Sequence, residues 1–277
     1  MPDQRDIYTH GHHDSVLRSH RWRTVDNSAA YLLPYLRPGQ RVLDVGCGPG
    51  TITIDLAHRV APGVVVGIDN HPAPLEQARA EAQRRSVRNV SFAVADAYHL
   101  DVKTVEPSIS SNGVFDVVHA HQLLQHLAEP VAALREMRRV CAPSGVVAAR
   151  DADYAAMTWY PPQPGLDRWL ALYQQVARGN GAEPDAGRRL LSWARAAGFS
   201  TITSSATDWC YATPEERAWW GGLWAERVTS SAFATQVLER HVATREDLQD
   251  MALAWRRWAE HDDGWFAVLH GEVVCFP

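Results

Sequence analysis

Little in this sequence points to a disulfide scaffold, a metal ribbon or a membrane span. The four cysteines, Cys47, Cys141, Cys210 and Cys275, are widely scattered and no C-x-x-C pair occurs. That spacing supports neither a zinc ribbon nor a thioredoxin-like motif. No apolar run approaches the ~20 residues needed to span a bilayer. The polar start MPDQRDIYTHGHHDS lacks the apolar core of a signal peptide. Basic residues are not in excess: the formal net charge is −5, which argues against a nucleic-acid partner held through its phosphates. The pairs Arg84-Arg85 and Arg138-Arg139 read as solvated helix faces, and no internal repeat is found. The expectation is a soluble cytoplasmic protein with neither a nucleic-acid nor a membrane partner.

What the chain does contain is an alternation of short apolar runs and helical patterns. Residues 15–36 have helical spacing. After Pro38-Gly39, residues Arg41 to Val45 read as a buried strand, followed by a glycine-rich turn and a helix from about Thr51 to Arg59. Val64 to Asp69 repeats the strand pattern, and Ala73 to Arg85 the helical one. Strands at Val90–Val94, Phe115–His119 and Val146–Arg150 continue the series, with a helix from Pro130 to Cys141 between the last two. Residues 103–113 read as an exposed loop. This alternation predicts an α/β fold with a doubly wound, mostly parallel sheet. Beyond Asp151 the composition changes, and ten of the eleven tryptophans fall between Trp159 and Trp265. Helices are expected over 182–198, 214–229 and 245–260, with strands over 201–211 and 266–275.

The segment Val42-Leu43-Asp44-Val45-Gly46-Cys47-Gly48-Pro49-Gly50-Thr51 sits between a predicted strand and a predicted helix, the context a nucleotide loop requires. Its spacing is G-x-G-x-G, and Asp44 precedes it inside the strand, so it differs from the pyrophosphate-seating G-x-G-x-x-G. Asp69 closes the second strand, where a carboxylate accepts hydrogen bonds from ribose hydroxyls. Asp96-Ala97 follows the third strand, where a carboxylate and an amide can read an adenine edge. All of these positions fall at the carboxyl ends of neighbouring strands, where such sheets bind ligands.

The motifs VLDVGCGPGT, VVGIDN, FAVADA and FDVVHAHQLLQHLAEPVAALREMRRVCAPSGV together resemble class I S-adenosyl-L-methionine-dependent methyltransferases. The likeness is to the branch of ubiquinone- and menaquinone-biosynthesis and small-molecule methyltransferases. It runs from about Arg41 to Asp151, with an echo in Ala196-Ala197-Gly198-Phe199. It departs at Ala142-Pro143-Ser144-Gly145, where the family has Lys-Pro-Gly-Gly. The resemblance implies a Rossmann-like fold with an antiparallel final strand and S-adenosyl-L-methionine as cofactor. It places Gly46, Cys47 and Gly48 against the methionine moiety, Asp69 and Asn70 at the ribose, Asp96 and Ala97 at the adenine, and His121 facing the methionine. The expected organisation is one domain over residues 1–277. Residues 1–38 form an N-terminal helical lid, 39–151 the cofactor-binding core, and 152–277 the rest, with a helical substrate cap at about 212–262.

For the chemistry, His119 and His121 are base candidates at the pocket mouth, since histidine titrates near neutrality. His126 is expected to pack at a helix start. Asp151, Asp153 and Tyr154 follow the fifth strand and are candidates for orienting an acceptor, or for capping a loop. Tyr8-Thr9-His10-Gly11-His12-His13 invites a metal reading, but no carboxylate or cysteine cluster completes a ligand set, and no metal is expected. The lid seen in related enzymes makes Tyr8, His12, His13 and Arg23 pocket candidates instead. Trp159, Tyr160, Trp209, Trp219, Trp220 and Trp224 either wall a pocket for a flat, greasy acceptor or pack the core or a second copy in a homodimer. The expected activity is methyl transfer to an O, N or C atom of a small apolar or aromatic metabolite. The alternatives are a non-catalytic cofactor-binding partner protein and a protein methyltransferase.

Overall fold

The computed structural model describes residues 6–11, 13–101 and 114–277. The loop expected at 103–113 lies outside these. Strands β1 (Arg41–Val45), β2 (Val64–Asp69), β3 (Val90–Val94) and β4 (Phe115–His121) match the apolar runs read from sequence. They pair in parallel with one another in the order β3-β2-β1-β4, and β5 (Cys141–Ala152) continues the parallel set beside β4. β8 (Trp265–Phe276) then pairs antiparallel to β5. The edge of β8 that holds β5 also takes the short β6 (Thr158–Tyr160), while β7 (Thr201–Tyr211) covers the opposite edge along its length. The sheet is therefore Rossmann-like: mostly parallel, with an antiparallel final strand.

Helices α3 (Thr51–Val60), α4 (Pro72–Arg84) and α5 (Pro130–Val140) follow α1 (Asp14–Arg21) and α2 (Val25–Ser28) in chain order and flank this sheet. β5 begins earlier than its apolar run suggests. Phe115 pairs with Cys141, but the next partners are Val117 and Val146, so residues 142–145 bulge from the ladder. A Cβ on Gly145 would come 2.6 Å from the Asp116 carbonyl oxygen, so this position of the bulge has no room for a side chain.

Two predicted helices are broken. The 15–36 stretch becomes α1, α2 and a 3-10 segment over Ala30–Tyr35. Thr24 starts a new helix by a capping box, its side chain accepting the Asn27 N–H while the Asn27 side chain accepts the Thr24 N–H. Pro34 then sits inside the 3-10 turn. Over 182–198 only Ala186–Arg189 (3-10) and α7 (Leu190–Ala196) are helical. Before them, the Asp185 carboxylate accepts from the Ala155 N–H, Gln174 and Arg178, contacts distant in sequence that override the local helical pattern.

The Trp-rich half holds α6 (Pro164–Gly179), α8 (Pro214–Ser230), α9 (Ala232–Glu239) and α10 (Arg245–Glu260). Trp169, Trp224, Trp255 and Trp258 are all fully buried here. Glycines let these helices approach closely: a Cβ on Gly221 would lie 2.7 Å from that of Ala259, and one on Gly165 2.3 Å from that of Ala254. Helices α8, α9 and α10 together form the segment between β7 and β8. None of the described helices is long and apolar enough to cross a membrane.

Candidate active site

At the carboxyl ends of β1, β2, β4 and β5 the sheet opens into one cavity. One end is the glycine loop. Gly46, Gly48 and Gly50 have φ of 71°, 54° and 75°, a left-handed backbone that side chains other than glycine adopt at a cost. Gly48 lines the cavity, and a Cβ there would meet nothing nearer than His20 Nδ1 at 3.9 Å. It would occupy ligand space, so the loop is shaped for close approach.

The carboxylates around this loop are already tied into it. Asp44 accepts the Thr53 hydroxyl at 2.6 Å and lies 2.8 Å from His119 Nδ1. Asp69 accepts the Gly48 N–H and the His71 N–H, one on each oxygen, both at 3.0 Å. Each oxygen keeps a further lone pair, and Asp69 lines the cavity. Beside the loop, Arg23 donates to the Gln122 side chain at 2.6 Å, immediately after β4.

The other end is aromatic. Tyr154, Met157, Trp209, Trp220 and Trp224 form its walls. Trp220, Trp224 and Arg227 share one face of α8 by their i, i+4, i+7 spacing. The N-terminal residues close the cavity from above. Arg227 holds α1 by donating to the Ser15 carbonyl and the Ser19 hydroxyl, and Arg18 pairs with Glu226. His10 contacts the hydroxyls of Tyr154 and Tyr173 at 3.2 and 2.9 Å, and the Tyr8 hydroxyl contacts His20 Nε2 at 3.3 Å.

Burial sets the protonation of this lining. It drives His10, His20 and His121 well below the usual histidine value and His126 down to about 3, so all four are neutral at pH 7. Burial also raises Tyr8 to about 12 and lowers Arg23 to about 10, leaving the phenol neutral and the guanidinium charged. Both ring nitrogens of His121, Nδ1 of His10 and the Nε of Arg23 and of Arg227 are buried without a hydrogen-bond partner among the described residues. Such groups cost free energy unless a ligand pairs with them. The thiol of Cys47, pushed well up by burial, is a packed wall rather than a nucleophile.

The cavity thus gathers Asp44, Gly46, Cys47, Gly48, Asp69, Asn70, His121, Tyr8, Arg23, Tyr154, Trp220 and Trp224 from the residues singled out in the sequence. Several others are elsewhere. His119 is not at the mouth: it is fully buried behind Asp44. Asp151 is also fully buried, with Oδ1 accepting the Gln125 N–H, and Asp153 is paired with Arg188 at 2.6 Å. Asp151, inside β5, thus holds the 124–126 turn that follows β4, and Asp153 braces the chain after β5. Tyr160 is 55% exposed, and its carbonyl takes the Trp258 indole N–H. His13 caps α1, and His12 lies outside the described residues. Asp96 and Ala97 stand beyond the cavity walls, with Asp96 accepting the Tyr98 N–H. Trp159 and Trp219 pack against the aromatic core.

Sequence reasoning missed His10, His20, Gln122 and Arg227, and assigned His126 to packing, whereas all five line the cavity. Only Arg227 had a legible signal, its helical register with Trp220 and Trp224. The histidines converge from the N-terminal segment and the 124–126 turn, a juxtaposition that no local pattern encodes.

A family model described as a methyltransferase domain matches residues 36–198. An uncharacterized methyltransferase of Schizosaccharomyces pombe is 35% identical over 285 residues, covering 99% of this chain and 97% of that protein. A probable methyltransferase, ltbC, of Aspergillus luteorubrus is 29% identical over 289 residues, covering 99% and 98%. The crystal structure of YcgJ from Bacillus subtilis shares the fold, with a TM-score of 0.55 at 18% identity over 95% of this chain and 98% of that one. With the glycine loop, the strand-end carboxylates and a full-length relative in agreement, this chain belongs to the S-adenosyl-L-methionine-dependent methyltransferases.

Proposed function

We propose that this enzyme methylates an O, N or C atom of a small, flat, aromatic metabolite. The observation that carries the reading is the continuity of the cavity, with the glycine loop at one end and walls of Trp209, Trp220, Trp224, Tyr154 and Met157 at the other. Such walls favour a planar apolar body. Four scattered cysteines, all free, suit a reducing, cytoplasmic setting.

In this reading S-adenosyl-L-methionine, when bound, supplies an electrophilic methyl group on a sulfonium that is a good leaving group. Gly46, Cys47 and Gly48 hold the methionine moiety by close backbone approach, and the Arg23 guanidinium faces its carboxylate. Asp69, already fixed by two backbone N–H groups, accepts the ribose hydroxyls with Asn70 beside it. Asp96 and Ala97, beyond the rim, are assigned to the adenine. His121, kept neutral by burial, is too weak a base to deprotonate an ordinary alcohol. Its unpartnered nitrogens instead orient the acceptor by hydrogen bonding. Residues 6–11 and 13–23 cover the cavity and exclude water from the transfer.

The test is a screen of phenols, aromatic amines and aromatic carboxylic acids with methyl-labelled cofactor, run on wild type and Trp220→Leu. Label transfer to at least one aromatic acceptor, with KM raised in the variant, is the expected result. Turnover confined to aliphatic or protein acceptors would refute the reading.

A further inference from the structure

The aromatic end of the cavity contains a charge that no carboxylate among the described residues balances. Arg227 is 4% exposed, lines the cavity and lies over the Trp224 ring at 4.5 Å. One of its terminal nitrogens donates to the Ser15 carbonyl and the Ser19 hydroxyl, and its Nε is buried without a partner. No carboxylate pairs with it among the described residues. Its neighbour Glu226 is engaged by Arg18 instead. The carboxylates in the cavity wall are committed elsewhere: Asp44 to Thr53 and His119, Asp69 to the Gly48 and His71 amides, and Asp6 to Tyr98 and the Ala128 amide. The histidines nearby are neutral and contribute no negative charge.

A guanidinium removed from water without a counter-ion is costly, and the face of an indole offsets only part of that cost. Tethering α1 needs only a neutral donor, as a glutamine would supply; a buried cation is explained by an anion arriving with a ligand. Guanidinium groups are suited to planar carboxylates and to phosphates.

We propose that Arg227 is the anion-recognition residue of the acceptor site, so that the acceptor is an aromatic molecule bearing a carboxylate or phosphate group. The inference rests on the methyl-transfer reading above and narrows its substrate class. The aromatic body stacks within the tryptophan walls while its anionic group meets the free edge of Arg227. That leaves Arg23, at the glycine-loop end, for the cofactor.

The experiment uses the full chain saturated with S-adenosylhomocysteine. Into it are titrated 4-hydroxybenzoate, 1-naphthoate and phenyl phosphate, each beside an uncharged partner (4-hydroxybenzamide, 1-naphthamide and phenol). At least one anion is expected to bind about tenfold more tightly than its partner. Arg227→Gln should abolish that preference while leaving the affinity for the neutral partner and for S-adenosylhomocysteine within about twofold. Arg227→Lys, which keeps the charge, should retain part of it. Equal affinities in wild type overturn the proposal without needing any variant to fold, as does failure of every anion to bind at about 10 mM. So does a preference that survives in Arg227→Gln. A matching loss of S-adenosylhomocysteine affinity in Arg227→Gln would assign the arginine to the cofactor's carboxylate and also overturn it. If wild type does not bind S-adenosylhomocysteine at all, the methyl-transfer reading fails first.

Discussion

Asp151 gives a quantitative check on the electrostatics around the cavity. Its carboxyl is fully buried, and burial raises its pKa from 3.8 to about 7 against the opposing hydrogen bond from the Gln125 N–H. Because the folded value lies above the unfolded one, the group stabilises the fold fully below pH ~3.8, and that contribution is lost as pH rises through about 7. Between pH 6 and pH 8 the folded carboxyl goes from about nine-tenths protonated to about one-tenth, while in the unfolded chain it is ionised throughout. Integrating the proton difference gives a loss on the order of 1 kcal/mol over that interval. Asp151→Asn keeps an oxygen for the Gln125 amide and cannot ionise. Urea denaturation of wild type and Asp151→Asn at pH 6 and pH 8 should therefore show wild type losing on the order of 1 kcal/mol more than the variant. The depressed histidines are common to both proteins and cancel in the difference. Parallel pH dependences would mean that Asp151 titrates normally and that burial does not govern this region. The result bears on function, because the amide that Asp151 holds opens the 124–126 turn carrying His126 into the cavity.

Other consequences follow from the packing and charges of the cavity. Trp224 is 1% exposed and packs edge-on to Trp169 with ring centres 4.4 Å apart. Trp224→Ala should lower the stability to urea by about 3–5 kcal/mol; a cost under about 1 kcal/mol would show that the aromatic cluster repacks freely. Arg23→Gln removes the charge assigned to the methionine carboxylate, so S-adenosylhomocysteine should bind about tenfold more weakly by calorimetry, whereas unchanged affinity would free Arg23 for another role.

The central parallel strands β1, β2, β4 and β5 were legible because they are buried along nearly their whole length, and the half-exposed edge strand β3 by its short apolar run. Arg41–Val45, Val64–Asp69 and Val90–Val94 have the same limits in the sequence reading and in the structure. The helices expected over 214–229 and 245–260 were legible too, and in the structure Thr213 and Thr244 cap them as α8 and α10. The reading failed where tertiary contacts outweigh periodicity, as in the 15–36 and 182–198 stretches. At the site, the glycine loop and Asp69 were readable because ligand approach constrains backbone type locally. His119 and Asp151 were misplaced because a position near the carboxyl end of a strand says nothing about depth. Both lie one layer beneath the surface they were expected to line. The cluster of His10, His20 and His126 arises only when the N-terminal segment crosses the cavity.

The central claim is that the glycine loop and Asp69 hold S-adenosyl-L-methionine. Its most direct test is calorimetric titration of S-adenosylhomocysteine into wild type and Asp69→Ala, with circular dichroism to confirm that both are folded. The account predicts tight binding to wild type and a loss of about 1.5–3 kcal/mol in the variant, the cost of removing charge-assisted hydrogen bonds. No binding to wild type, or equal binding to both proteins, would contradict it.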